Sequence, residues 1–585
     1  MVDAVLTTMR AVDDGRQPSR SVPALLRHFL EAYPTRTLTV VSLLSIAGLA
    51  EGISVLALLP FVQLALAGGT QAGAASRWID RSLASFGLTP SIGLLLLLIV
   101  LGIVAKAAVT LVAMKKVGYA VSRLMTDLRQ RLIGALMEAR WSYFVARPLG
   151  LFSNAICAEA IRAGNTYQQA ARLAAAFIQV CVYGVVTVLV SWKIALVAIV
   201  AGAAGLFLLR QVVAVAHDAG RKQTGLMQLL AVRTTDTLMG IKPIKVMAAE
   251  KAAIPLLDRE ILELDQAQRS QVWAAELLRL AQEPVLVVLL SVGIYIAVTF
   301  GGQSIPALMV IAVLFYRLFN RLQAMQEIYQ QIALGASAYW SVYQLCLDAE
   351  HEAETRTGKI LLAGSIPRIA LNGVSFSYGG KPALNDVSTR IEPGEFVAVT
   401  GPSGGGKTTF LDIVSGLLLP AGGHLLIDGH ELGELDLNSW RRRIGYVPQE
   451  MLLLHDTIYQ NVSLGDSGIS RAQAEDALRA AGIWDLIASL PEGLDTIVGE
   501  RGSRFSGGER QRISVARALV RCPSVLLLDE VTASLDEETE RAVCTTLRQL
   551  AGKMTIVAIS HQRAMARVAD RVLHIENGKL YAQAS

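Results

Sequence analysis

The first place where residue types and spacing could do chemistry is the run Gly401-Pro402-Ser403-Gly404-Gly405-Gly406-Lys407-Thr408-Thr409. Its glycines let successive backbone N–H groups curl round a polyphosphate, Lys407 reaches the outer phosphates, and the Thr408 hydroxyl is a ligand for Mg2+. Such a loop needs a strand before it and a helix after it. Phe396 to Thr400 reads as a buried strand and Thr409 to Leu417 as a helix, whose N-terminal dipole adds to the anion site. A second apolar strand, Val525 to Leu528, ends in Asp529-Glu530. Alone, an acidic pair at a strand end would be ordinary solvated surface. Beside a phosphate loop, Asp529 is placed for a second contact to Mg2+ and Glu530 for polarising an attacking water as general base. Between these two, Ser506-Gly507-Gly508-Glu509 opens an alanine-rich helix, a further place where a hydroxyl and unblocked N–H groups could meet an anion.

The order of motifs resembles an ATP-binding cassette. The phosphate loop is followed by Gln449 after Tyr446-Val447-Pro448, then Ser506-Gly507-Gly508, then the strand with Asp529-Glu530, then Ser534-Leu535-Asp536, then Ile559-Ser560-His561. The resemblance implies that Tyr378 stacks on adenine, that Gln449 senses Mg2+ and the attacking water, and that Ser506 and Gly508 reach the γ-phosphate of an ATP held by a partner cassette. It implies likewise that Asp536 joins the two sites and that His561 acts on the γ-phosphate. Two departures stand out: Glu509 occupies a position where Gln is commoner, and Ala533-Ser534-Leu535-Asp536 departs from the usual order.

The elements that must position this chemistry follow a different kind of sequence. From Thr37 to Ser76 the only charged residue is Glu51, and from Ser91 to Met114 the only one is Lys106; further apolar runs follow at Leu173–Trp192, Ile194–Leu209 and Pro284–Tyr316. Stretches of about 20 apolar residues cross a bilayer. Six spans are expected, near residues 37–66, 91–114, 173–192, 194–215, 284–300 and 304–322, with turns at Ser191-Trp192-Lys193 and Gly301-Gly302-Gln303. The segments after spans two and four are rich in bases, among them Lys115, Lys116, Arg129, Arg131, Lys242 and Lys245, so they and both termini are expected in the cytoplasm. Their length and composition suit helical extensions of the spans. Val22 to Tyr33 is amphipathic and suits the membrane interface. Glu51 and Lys106 are costly in hydrocarbon and fall at comparable depth, which reads either as a structural or gating pair or as a contact for a polar part of a substrate.

Six spans ahead of a cassette resemble an ABC exporter half-transporter. In that reading Thr234 to Lys245 is the second coupling segment and Gly499-Glu500-Arg501-Gly502 the X-loop. The expected organisation is a polar tail (1–20), a six-helix transmembrane domain (21–345), a linker (346–366) and an α/β P-loop cassette (367–585). The implied ligands are ATP and Mg2+, and the implied place is a bacterial inner membrane. Because the motif set is complete, a second, identical chain is the expected partner. The cargo implied is an amphipathic substrate, lipid-linked or glycolipid slightly ahead of peptides or hydrophobic drugs; an ATP-gated channel or regulator is the reading of another class.

Composition agrees with this division. Of 585 residues 52% are hydrophobic and 18% charged, against roughly a quarter charged in soluble proteins, and mean hydropathy is +0.44. The net charge of +5 reflects loops facing the cytoplasm and does not call for a nucleic-acid partner. Five cysteines, Cys157, Cys181, Cys346, Cys522 and Cys544, show no metal or disulfide spacing, and the first twenty residues lack the apolar core of a signal peptide.

Overall fold

A computed structural model describes residues 22–67, 91–190, 210–299, 305–354, 358–362, 364, 366–531 and 537–582. The chain divides between Ala353 and Glu354 into two compact units. The expected tail at 1–20, both turns, the first part of the fourth span and Asp536 lie outside the described residues.

The first unit is helical. Helix α1 (Val22–Ala32) buries Val22, Leu25, His28 and Phe29, the helical spacing that made it amphipathic in the sequence. It is followed by α2 (Pro34–Ala67), α3 (Ile92–Glu138), α4 (Ala160–Val190), α5 (Arg210–Met239), the short α6 (Ile241–Val246), α7 (Pro255–Thr299) and α8 (Ile305–His351). Among the described residues two helical stretches are long and apolar enough to cross a membrane, within Ile92–Glu138 and Leu149–Val188, and Thr37–Gly52 is a shorter apolar helix.

Helix α3 runs well beyond the expected span because its polar half keeps a buried stripe, Val117, Ala120, Leu124, Leu128 and Leu132, at three- and four-residue spacing. From Ala120 onward that stripe shares a core with Ile332, Ala336, Tyr339 and Tyr343 of α8, while Val117 packs with Val40 and Leu44 of α2. Pro284, where the expected fifth span begins, lies inside α7, which continues on its N-terminal side as a helical extension of the kind expected. Such a proline is tolerated in membrane helices because neighbouring groups take up the freed carbonyl. Helix α8 continues to His351, so the expected linker begins as helix. Between α2 and α3, a Cβ on Gly102 would lie 1.9 Å from Ser54 Oγ. Glycine there lets the two helices approach as closely as small residues allow.

The second unit holds two sheets. Strands β1 (Ile369–Tyr378), β2 (Lys381–Ile391), β4 (Gly422–Ile427) and β5 (His430–Glu431) form an antiparallel sheet in the order β2-β1-β4-β5. The other sheet has the order β10-β9-β3-β8-β7-β6, from β3 (Phe396–Thr400), β6 (Ile444–Val447), β7 (Val525–Asp529), β8 (Thr555–Ile559), β9 (Arg571–Glu576) and β10 (Lys579–Ala582). Its central strands β3, β8 and β7 are parallel and almost wholly buried, as uninterrupted apolar runs in a sheet covered on both faces should be. Helix α9 (Lys407–Val414) follows β3, and α10 (Gly507–Leu519) precedes β7.

Candidate functional site

Register brings the site together. Val399 pairs with Ile559 across β3 and β8, and Asp529 with Ile559 across β7 and β8, so the three strands end level and release the phosphate loop, Glu530 and His561 at one edge. The loop requires its glycines. Gly401 has φ +143°, and a Cβ there would lie 2.0 Å from the Ile575 carbonyl oxygen; Gly406 has φ +107° with the Ala383 carbonyl 2.4 Å from such a Cβ. Gly404 is also left-handed but faces open space, and Ser403 and Thr408 are exposed. Gly405 donates to Pro402 O at 3.1 Å, and the Lys407 ammonium folds over the loop to donate to Gly401 O (3.1 Å) and Pro402 O (2.9 Å). The loop is thus a pre-bent cradle whose lysine bridges its own carbonyls.

Glu530 is bracketed. Its Oε2 accepts from Gln449 Nε2 at 2.7 Å and its Oε1 lies 3.2 Å from His561 Nε2. The backbone there is left-handed, φ +47°, and the Glu530 N–H donates to Ile559 O at 3.1 Å. A non-glycine residue in that region is uncommon, and here it turns the carboxylate off the end of β7 between two partners.

Asp529 stays inside, 5% exposed, with Oδ1 buried and without a hydrogen-bond partner. Burial raises its carboxyl, Glu530 adds to the rise, and Lys407 opposes it. A buried carboxylate oxygen left unanswered costs free energy, and a divalent cation would answer it. The donor set Asp529, Gln449 and the exposed Thr408 hydroxyl has the oxygen chemistry that Mg2+ takes. The Lys407 ammonium is lowered by burial, against the pull of Glu530 and Asp529.

Tyr378 ends β1, 44% exposed, with its ring edge-on to Phe376 at 4.9 Å; burial raises its hydroxyl, and Thr409 on α9 opposes the rise. Ser506 caps α10, its hydroxyl accepting from Glu509 N–H at 3.4 Å while the Glu509 carboxylate accepts from Ser506 N–H at 2.7 Å. A Cβ on Gly507 would meet nothing within 4 Å, so this end of α10 is open to approach. Among the described residues, no hydrogen bond joins Ser506 or Glu509 to the phosphate loop of the same chain.

Sequence reasoning missed Asp412 and Tyr446. Asp412 sits in α9 among Phe410, Leu411, Ile413 and Val414, all buried. Burial and then the Asp529 charge push it up to about 6. Tyr446 is raised by burial and by the same two carboxylates, which marks them as one cluster. An aspartate in the otherwise apolar stretch following the loop was the available signal.

In the first unit Glu51, 4% exposed, forms an ion pair with Lys106 and accepts from the Tyr183 hydroxyl. Arg317 Nη1 lies 3.8 Å from the same oxygen, and Oε2 has no hydrogen-bond partner. Four helices, α2, α3, α4 and α8, therefore meet at one carboxylate. Arg317 lies inside the expected sixth span, which was the cue to look for it there. At the far end of α5, the expected coupling segment forms α6, with Leu238, Met239, Ile241 and Val246 exposed.

A helical unit carrying membrane-spanning helices, followed by this nucleotide-binding arrangement, defines a transporter driven by ATP. The ABC transporter transmembrane region model matches residues 55–323 and the ABC transporter model matches residues 384–533. An ATP-dependent lipid A-core flippase of Syntrophus aciditrophicus is 30% identical over 474 residues, 78% of this chain and 77% of the relative. The chain belongs to the ABC transporter family, as an exporter half-transporter with an integral membrane domain fused to one ATP-hydrolysing cassette. Half-transporters of this fold act as dimers. The heterocyst differentiation ATP-binding protein HepA of Nostoc sp. is 28% identical over 544 residues, 91% of this chain and 88% of its own. A bacterial Atm1-family ABC exporter with ATP bound superposes with a TM-score of 0.79 at 25% identity, over 95% of this chain and 96% of that one.

Two outcomes follow. Glu530→Gln keeps the Gln449 and His561 contacts but loses the base: phosphate release is expected to fall at least about 100-fold with ATP binding retained, measured on the purified protein. Asp412→Asn tests the buried cluster by thermal unfolding in chelator. A carboxyl raised from 3.8 to about 6 binds more protons folded than unfolded, so its stability cost grows between those values and is fully present above them. The variant should therefore be stabilised at pH 7.5, with the gain shrinking as pH falls below about 6.

Proposed function

We propose that two copies of this chain form a homodimer in a bacterial inner membrane, both termini cytoplasmic, that moves an anionic amphiphile of lipid-linked type outward by alternating access. The observation that carries the substrate class is the Glu51 cluster: two cations, Lys106 and Arg317, share one carboxylate. A surplus positive charge among membrane helices is costly unless something balances it. A phosphate-bearing headgroup would balance it. Relatives named as lipid A-core flippases support the same substrate class.

In the cassette, Tyr378 stacks on the base, the glycines from Gly401 to Gly406 with Ser403, Thr408 and Thr409 cradle the phosphates, and Lys407 exchanges its two loop carbonyls for phosphate oxygens. Asp529, Thr408 and Gln449 hold Mg2+, which when bound neutralises phosphate charge. Glu530 takes the proton of the attacking water, held in place by Gln449, and His561 donates toward the γ-phosphate. Ser506, Gly507 and Gly508 complete the site of the partner chain, so closure needs both copies. Asp536 is assigned to the link between the two sites. The segment Thr234 to Lys245, whose last residues lie in α6, is assigned to coupling.

The test uses proteoliposomes and mass spectrometry of co-purifying molecules. An anionic lipid-linked amphiphile should accompany the purified protein and be lost from Lys106→Met/Arg317→Met. Transport by that variant should fall at least about tenfold, with basal ATP hydrolysis within about twofold. Co-purification of peptides in place of lipids would overturn the substrate assignment.

A further inference from the structure

The positive end of α10 is already answered from within the chain. The Glu509 carboxylate returns to the Ser506 N–H at 2.7 Å, and the Ser506 oxygen takes the Glu509 N–H at 3.4 Å. This reciprocal cap is common at helix starts. Its consequence here comes from what else must arrive. With its oxygen accepting inward, the Ser506 hydroxyl has its proton left to donate outward. The same cap holds the Glu509 carboxylate against the Ser506 backbone, beside that hydroxyl. Among the described residues no lysine or arginine pairs with Glu509: Arg510 donates to Phe505 O (2.8 Å) and Arg504 to Ile497 O (3.2 Å). Gly507 is open to approach, and the half-buried Glu509 lies two residues on, on the same first turn of α10.

We propose that Glu509 is a positioning residue that also sets the threshold for cassette closure: its carboxylate ties down the Ser506 N–H and so fixes the turn that presents the Ser506 hydroxyl as a donor, and its charge opposes the incoming γ-phosphate, so that closure requires more ATP. This rests on the assignment of Ser506 to Gly508 as contacts to the partner's ATP. Cap and charge can be separated, because glutamine accepts the Ser506 N–H through its amide oxygen without the charge, whereas alanine removes the charge and this side-chain half of the cap together, leaving only the backbone N–H bond to the Ser506 oxygen.

The experiment uses the full-length dimer in lipid nanodiscs, in the Glu530→Gln background so that hydrolysis does not reopen it. One fluorophore per cassette reports closure, and a fluorescent ATP analogue measures binding to the open state. Glu509→Gln should lower the ATP concentration for half-closure by about three- to tenfold, leave analogue binding unchanged, and lose its advantage over Glu509 as salt rises and screens the charge. Glu509→Ala should close less readily than Glu509→Gln, because the Ser506 N–H loses its side-chain acceptor and the turn that presents the hydroxyl loosens. Half-closure at the same ATP concentration with Gln as with Glu would overturn the proposal while leaving the assigned ATP site standing. If Ser506→Ala closes normally, the assignment of the signature residues falls, and the proposal with it.

Discussion

The cassette depends on the register of three buried parallel strands. Hydrogen-bonded pairing of Val399 with Ile559 and of Ile559 with Asp529 makes β3, β8 and β7 end at one level. Side chains alternate along a strand, so a slip of one residue would turn every inward group outward. In this sheet a slip would also separate the loop of Lys407 from Asp529 and carry His561 away from Glu530. The apolar runs in these strands, buried on both faces, give that register its energy, since misaligned pairing would expose surface worth about 25 cal/mol per Å2. The polar cluster is therefore held by apolar packing a few residues away.

The membrane unit meets the reverse problem. Its helices are apolar enough that sliding or rotating one past another changes little in solvent contact, because lipid is as apolar as leucine. Orientation there has to come from close approach and from polar groups. Gly102 against Ser54 supplies the first, and the meeting of Glu51 with Lys106, Tyr183 and Arg317 supplies the second. One carboxylate touching groups from three other helices orients four helices at once.

These two sources of order explain what could be read from the chain. Strands β3, β7 and β8 and the glycine loop were legible because contiguous residues carry the whole signal: an apolar run, then glycines whose left-handed φ values no other residue suits. Glu51 and Lys106 were legible as single charges in apolar stretches. The partners Tyr183 and Arg317 were not, since a tyrosine in a span is unremarkable and an arginine near its end reads as an interfacial anchor. Asp412 and Tyr446 were hidden for a related reason. Each becomes part of the site only when α9 and β6 are laid against β7, which no local pattern encodes.

Glu530 joins these themes. Its backbone adopts a conformation that a residue with a Cβ takes only at some cost, of order 1–3 kcal/mol, and the carboxylate is placed between Gln449 and His561 as a result. An extended continuation of β7 would carry the side chain along the strand direction, away from both. The strain is sustained because Ile559 O accepts the Glu530 N–H and the buried strand behind it cannot relax. Gln449 and His561 come from segments far apart in sequence, so the carboxylate senses the position of both. A shift in either loop changes what Glu530 can do before any strand moves, which makes this carboxylate the point in the cassette most sensitive to small rearrangements around it.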